Sequence, residues 1–353
     1  MAARRAVQEA DVSRARRLEL AVVGRRPAGR DFVWLVLDAP PDWRSLPGQF
    51  VNVLCESDAR EMRASEGRAL DEGGGSRKGA SPAAPAAGSY KWPAEAGGWP
   101  EATGLELSGR RAFGRRPYSI ARVERRGRQV RLHLLVQVKG PGSRFLGSRP
   151  VGSAVDLVGP LGTHFTAPAD NRMCVLVSGG CGLAPIFGLA EWLAAAGKRV
   201  VNLFGAATRE AMPLDFSEPP RATGDRLEET AAANEFAFRG ATTFLATDDG
   251  SAGFRGPVTA AFETYLDGPG RGEPAALYGC GPKAMLKRLA EIAAERGLAC
   301  EISLERHMGC GIGACLSCVA KRRDAASDRG WTYRLTCRDG PVMDAHEILW
   351  DDA

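Results

Sequence analysis

The stretch Glu305-Arg306-His307-Met308-Gly309-Cys310-Gly311-Ile312-Gly313-Ala314-Cys315-Leu316-Ser317-Cys318, answered later by Cys337, decides how the rest of the chain is read. Its cysteines fall as C-x4-C-x2-C and then, after a longer gap, C. This is the plant-type [2Fe–2S] spacing, in which four thiolates hold two irons. A loop of that kind folds tightly around an inorganic core and turns several N–H groups toward its sulfides. Gly309, Gly311 and Gly313 permit the positive φ values and the close backbone approach that this needs.

Two plainer readings compete. Four cysteines also suit tetrahedral zinc, but structural zinc sites usually pair their ligands as two short hooks, whereas here three sulfurs share one hook. Buried core thiols are the other reading, and three among glycines make a poor core pattern. His307 beside Cys310 does not make a Rieske arrangement, because four cysteines already complete the set. His133, His164 and His346 have no metal-ligand spacing among themselves.

At 353 residues the chain has room for two or three domains. No apolar run approaches the roughly eighteen residues of a membrane span. The net charge of +5 comes from arginines scattered among acids, with no basic stripe carrying interleaved aromatics, so neither nucleic acid nor membrane is expected as a partner. Arg4 and Arg5 precede no apolar segment, and Glu9 and Asp11 argue against a transit peptide. Of nine cysteines, five (Cys55, Cys174, Cys181, Cys280, Cys300) lie scattered outside the motif, which suits a reducing compartment. A cytoplasmic location is expected.

Working outward toward the N-terminus, Ala276-Leu277-Tyr278-Gly279-Cys280-Gly281-Pro282 reads as a strand into a turn, followed by an amphipathic helix to about Arg296. Thr242 to Thr247 is a strand leading into Asp248-Asp249-Gly250-Ser251, locally no more than an Asp-Gly turn before a helix. Residues 213–239 are polar and Ala-rich, a variable loop with some helix. Met173-Cys174-Val175-Leu176-Val177-Ser178 is a continuous apolar strand, and Gly179-Gly180-Cys181-Gly182-Leu183-Ala184-Pro185 turns it into a helix. A buried parallel strand, a glycine turn and a helix N-terminus together suit a phosphate. The Rossmann fingerprint is not met, since Pro185 occupies the third glycine position.

Before Asn171 the text is different. Leu18 to Val23, Phe32 to Leu37 and Gln49 to Val53 are closely spaced short strands, as in an antiparallel barrel. Residues 56–114 interrupt them with Gly, Ala, Ser, Pro and charge, a composition that buries too little apolar surface to offset ordering. Strand text resumes at Arg115-Arg116-Pro117-Tyr118-Ser119, at Leu132 to Ser143 and at Val155 to Gly162.

Taken together these motifs resemble the dihydroorotate dehydrogenase electron transfer subunit family, ferredoxin-reductase-like flavoproteins with a C-terminal [2Fe–2S] domain. The resemblance is carried by Glu305 to Val319 and Tyr333 to Val342. It extends to the R-x-Y-S segment at Arg116, the Gly140-Pro141-Gly142-Ser143 and Gly159-Pro160-Leu161-Gly162 turns, the glycine turn at 179, and the Asp248 and Cys280 turns. It implies three parts: an antiparallel FAD-binding β-barrel over 15–168 with a flexible insertion at about 56–114, a Rossmann-like nicotinamide-binding α/β domain over 169–297, and a [2Fe–2S] domain over 298–353. The family's link from third strand to flavin motif is far shorter than this insertion.

The resemblance also implies site residues. Arg116, Pro117, Tyr118 and Ser119, with Leu135, Val136, Gln137, Gly142 and Ser143, are expected to hold FAD, the arginine fork neutralising its phosphate. Gly179, Gly180, Gly182, Pro185, Asp249, Gly281 and Pro282 are expected around NAD, with Cys280 beside the nicotinamide. Cys310, Cys315, Cys318 and Cys337 are the expected cluster ligands. The implied partner is a catalytic FMN-containing dihydroorotate dehydrogenase subunit in a heterotetramer of two of each, met at the face lined by residues 339–343. NAD against NADP stays open, with Arg209 placed to meet a 2′-phosphate. Also open are a diaphorase role for a hydrogenase, sulfur reductase or ferredoxin–nicotinamide transhydrogenase, and a zinc-stapled scaffold without enzymatic activity.

Overall fold

A computed structural model describes residues 14–56, 114–230 and 241–350. The N-terminal residues Arg4 to Asp11, nearly all of the 56–114 insertion and residues 231–239 of the expected variable loop lie outside the described residues.

Six antiparallel strands close into a barrel: β1 (Arg16–Ala28), β2 (Phe32–Ala39), β3 (Phe50–Leu54), β4 (Arg115–Arg126), β5 (Gln129–Gln137) and β6 (Ala154–Leu161), in the spatial order 1-2-5-4-3-6. Alternate side chains of β2 and β5 point inward, and Leu35, Leu37, Leu132 and Leu134 are fully buried with Trp43 and Leu157. Each such side chain contributes about 1.5–3 kcal/mol. The short helix α1 (Pro141–Ser148) starts on Pro141, whose missing N–H costs nothing in the first turn.

The second unit is an eight-stranded sheet. Its central strand, β7 (Met173–Gly179), is buried along its whole length, as expected of a parallel strand covered on both faces. Beside it run β8 (Val200–Ala206), then β10 (Ala241–Thr247), β11 (Gly253–Arg255) and β9 (Ala222–Gly224); on its other side lie β12 (Ala275–Cys280) and β13 (Ala299–Ser303). Helices α2 (Leu183–Ala195), α3 (Val258–Asp267) and α4 (Lys283–Arg296) pack on the faces. The residues expected as variable loop with some helix thus supply a short strand, β9. The chain leaves β7 toward β8 and returns on the other flank as β12. Ligands of open α/β sheets bind outside such a reversal, at the carboxyl ends of the strands.

After β13 the motif loop runs from Leu304 to Cys318, followed by the hairpin β14 (Val319–Arg323) and β15 (Trp331–Leu335). The chain then comes back as β16 (Val342–Asp344), antiparallel to β13. Strands β13 and β16 therefore tie the cysteine-bearing segment into the α/β sheet.

Candidate functional site

The four motif cysteines come together in two pairs. The Cys310 N–H points at Cys315 Sγ at 3.4 Å, and the Cys315 N–H at Cys310 Sγ at 3.3 Å. Ile312 and Ala314 N–H groups also face Cys310 Sγ, at 3.4 and 3.3 Å. The Cys337 N–H faces Cys318 Sγ at 3.4 Å. Positive φ at Gly311 (69°) and Gly313 (87°) turns these donors inward; Leu316 also adopts φ 59°, rare for a bulky residue. The Ser317 hydroxyl, at 3.2 Å, and its N–H bring the Cys315 thiol down to about 6, while burial first, then Cys318, pushes Cys337 up to about 12. Converging N–H groups on thiols suit an anionic iron–sulfur core, so the donor set fits that group. Among the described residues no three His, Cys, Asp or Glu side chains converge as a single-ion site.

Adjoining this loop is a cleft of about 570 Å³ between barrel, sheet and loop. The barrel wall is Phe50, Pro117, Tyr118, Ser119, Leu135 and Gln137; the sheet adds Cys181, Ala184, Cys280 and Lys283; the third wall runs from Ser303 to Met308. Of the expected FAD residues, Pro117, Tyr118, Ser119, Leu135 and Gln137 thus share one surface. Arg116 lies against Gly142, where a Cβ would meet its Cγ at 3.3 Å. Val136 is fully buried in the barrel core, so its side chain is not available to a ligand there. The Ser143 hydroxyl accepts from the N–H groups of Lys139 and Gly140, at 2.9 and 3.0 Å, and donates to the Gly140 carbonyl. It closes its own turn. Tyr118 hydrogen-bonds Cys55, and burial pushes both above their ordinary values, the Cys55 thiol to about 11.

The glycines expected around NAD divide by role. Gly180 has φ 55°, and no described residue stands where its Cβ would be, leaving its backbone accessible among them. Gly182 and Gly179 are packing glycines. A Cβ on Gly182 would overlap the Cys280 carbonyl, and one on Gly179 would stand 2.9 Å from Met285 Sδ. Gly281 likewise abuts Met285, Pro282 caps α4, and Pro185 is buried in the first turn of α2. Asp249 lies away from the cleft and accepts from the Ser251 N–H and hydroxyl at 2.9 and 2.6 Å, bonds that hold its carboxyl below the ordinary value. Arg209 neighbours that turn through its N–H to Ser251 Oγ at 2.8 Å.

Sequence reasoning did not single out Glu305, which accepts from Cys181 Sγ at 3.1 Å inside the cleft. Burial, then the charges of Glu305 and Cys181, holds the Cys280 thiol well above its usual range. A neutral thiol is the state this wall presents. Asn52 was also missed; its Nδ2 donates to the Cys310 carbonyl at 2.7 Å, across 258 positions of sequence. Residues 339–343, expected to line an exposed face beside the thiols, are mostly buried. Thr163 donates its N–H to the Gly340 carbonyl and its hydroxyl to the Val342 carbonyl, so the turn docks on the end of the barrel.

Comparison with known proteins agrees with this geometry. Residues 305–349 match the model of the iron–sulfur cluster binding domain of dihydroorotate dehydrogenase B. The electron transfer subunit of dihydroorotate dehydrogenase B (NAD⁺) from Caldanaerobacter subterraneus subsp. tengcongensis is 35% identical over 68% of this chain and 83% of that protein. The subunit of the same name from Geobacillus kaustophilus is 37% identical over 67% of this chain and 80% of that protein. Among solved structures, the NADH-dependent reduced ferredoxin–NADP oxidoreductase superimposes with a TM-score of 0.62 at 21% identity, covering 94% of this chain and 90% of that one. A ferredoxin NADP⁺ reductase from Neisseria gonorrhoeae gives 0.50 at 13% identity, over 80% of this chain and 92% of that one. These two show a shared fold. No helix among the described residues is long and apolar enough to cross a membrane.

Proposed function

The chain belongs to the family of dihydroorotate dehydrogenase B (NAD⁺) electron transfer subunits, and from that premise we propose how its residues carry the family's activity. It is an oxidoreductase subunit, linking the oxidation of dihydroorotate on a catalytic partner to the reduction of NAD⁺. When bound, nicotinamide exchanges a hydride, an iron–sulfur cluster a single electron and a flavin either, so a flavin belongs between the other two.

The cleft is the observation that carries this reading. One cavity is walled by the barrel strand Pro117–Ser119, by Cys280 at the reversal of the sheet, and by the loop that reaches Cys310 five residues after Glu305. Tyr118 and Pro117 offer an apolar surface for an isoalloxazine, and Arg116 beside Gly142 offers charge and close backbone approach for the FAD phosphates. Cys280 with its proton retained gives a neutral neighbour for a nicotinamide, while Gly180, with no described residue against its Cα, lets a ligand approach the backbone just before α2. Cys310, Cys315, Cys318 and Cys337 hold a [2Fe–2S] cluster. The partner is a catalytic subunit carrying FMN, two copies of each chain forming the assembly, in the cytoplasm.

The test is co-expression. The isolated chain should be coloured, contain FAD and iron, and oxidise NADH with artificial acceptors without turning over dihydroorotate. With the FMN subunit it should gain dihydroorotate:NAD⁺ activity. A colourless zinc protein, or two subunits that neither co-purify nor react together, would overturn the reading.

A further inference from the structure

Asn52 stands in the middle of β3 with 1% of its surface exposed, between the fully buried Val51 and Val53. A buried amide at such a position is costly unless its polar atoms are used. Its Nδ2 is used, donating to the Cys310 carbonyl at 2.7 Å, whereas its Oδ1 has no partner among the described residues. On the other side, Asn52 faces Pro117 across the β3–β4 ladder, and its own carbonyl accepts from Arg115 Nη1 at 3.0 Å. Gly311 closes over the amide so tightly that a Cβ there would lie 2.5 Å from Nδ2. One side chain therefore joins the strand next to the cleft wall to the peptide that follows the first thiol.

We infer that Asn52 is a positioning residue that fixes the Cys310–Gly311 peptide and thereby sets the reduction potential of the cluster. The inference rests on the [2Fe–2S] reading above. With its carbonyl tied to the barrel, the peptide is oriented so that the N–H groups of Ile312, Ala314 and Cys315 converge on Cys310 Sγ. Hydrogen bonds to a ligating sulfur stabilise the more negative, reduced state and so raise the potential. Without the anchor the peptide turns freely and these donors loosen.

The experiment is an anaerobic redox titration of the full chain, following the cluster by EPR and FAD by absorbance, in Asn52→Asp and Asn52→Leu. Asp keeps the shape, removes the donor and sets a carboxylate against the Cys310 carbonyl; Leu removes the amide altogether. At the midpoint of the unaltered protein, the reduced-to-oxidised ratio of the cluster should fall about tenfold in Asn52→Asp, which is 59 mV for one electron. The fall should be smaller in Asn52→Leu, with FAD content and FAD midpoint unchanged in both. Gly311→Ala, which pushes the loop off the amide and leaves the barrel intact, should shift the cluster in the same direction and serves if the Asn52 variants do not fold. An unmoved cluster midpoint in variants that retain iron, or an equal shift of the FAD midpoint, would overturn the inference. Absence of iron and of the reduced-state signal from the unaltered protein would overturn the cluster reading itself.

Discussion

Gly182 shows how a residue expected beside a ligand also serves as a packing contact. It follows a glycine pair after a buried strand, where a phosphate loop is expected, yet its missing side chain makes room for the Cys280 carbonyl. Gly182→Ala forces backbone against backbone, and overpacking of that kind costs about 1–3 kcal/mol. Urea unfolding should register the loss, and NADH oxidation should fall with it, because the same displacement moves Cys280. Gly180→Ala differs: no described residue crowds its Cβ, so its penalty is the left-handed φ, about 1 kcal/mol. If Gly182→Ala were as stable as the unaltered protein, the interlocked turns would not be what closes this end of the sheet. Single thiols give a second prediction. Cys337→Ser should lose iron and the reduced-state EPR signal while keeping FAD, since Cys337 lies in the thiol cage and does not line the cleft. Retained iron and signal would remove it from the ligand set.

At the scale of elements, the linker between barrel and sheet is pinned by side chains, not by secondary structure. Tyr278 donates to the Thr166 carbonyl at 2.7 Å, and Glu301 on β13 accepts from the Thr166 N–H and hydroxyl at 2.8 and 2.6 Å. Burial nevertheless outweighs these bonds and raises the Glu301 carboxyl above its ordinary 4.5. The folded protein thus binds this proton more tightly than the unfolded chain. Its contribution is full below pH 4.5 and is lost as pH rises through the folded value. Glu301→Gln keeps the partners without a charge to bury, so it should unfold at higher urea at neutral pH and show a flatter stability profile above pH 4.5. A profile unchanged by the substitution would place the cause elsewhere. Elements of this protein differ in how far sequence reveals them. β7 with its glycine turn, and the thiol loop, are legible because their signals are local: an uninterrupted apolar run, and cysteines at a fixed spacing. β9 and β11 are three residues each and carry no period. Docking of residues 340–343 on Thr163, and of Asn52 on Cys310, joins segments far apart in the chain. Nothing local in either segment announces these contacts, nor the turn that the Ser143 hydroxyl closes on itself.

For the molecule as a whole, the question is where the catalytic partner sits. The turn at 340–343 is buried on the barrel, so it does not offer the face. We propose the thiol loop instead: Ile312 is 57% and Leu316 63% exposed, and these two apolar side chains sit among the cysteines expected to ligate the cluster. Apolar side chains held out in water beside the cluster loop suit a surface that another protein covers. Leu316 is also held at φ 59°, a conformation an unbranched polar residue such as Asn tolerates better. Leu316→Asn should therefore leave the loop folded while removing its apolar contact, and Ile312→Asp adds a charge that docking would have to desolvate. Only the exposed part of each side chain remains to be covered, which is worth about 1–2 kcal/mol. Since about 1.4 kcal/mol is tenfold in affinity, each variant should bind the proposed FMN subunit roughly five- to thirtyfold more weakly. Iron content, FAD content and NADH oxidation with artificial acceptors should stay close to those of the unaltered chain, whereas dihydroorotate:NAD⁺ activity at limiting subunit concentration should drop with the affinity and recover as the partner is raised. Undiminished co-purification in the double variant would move the docking face away from the thiol loop, and with it the exit by which electrons pass between the two subunits.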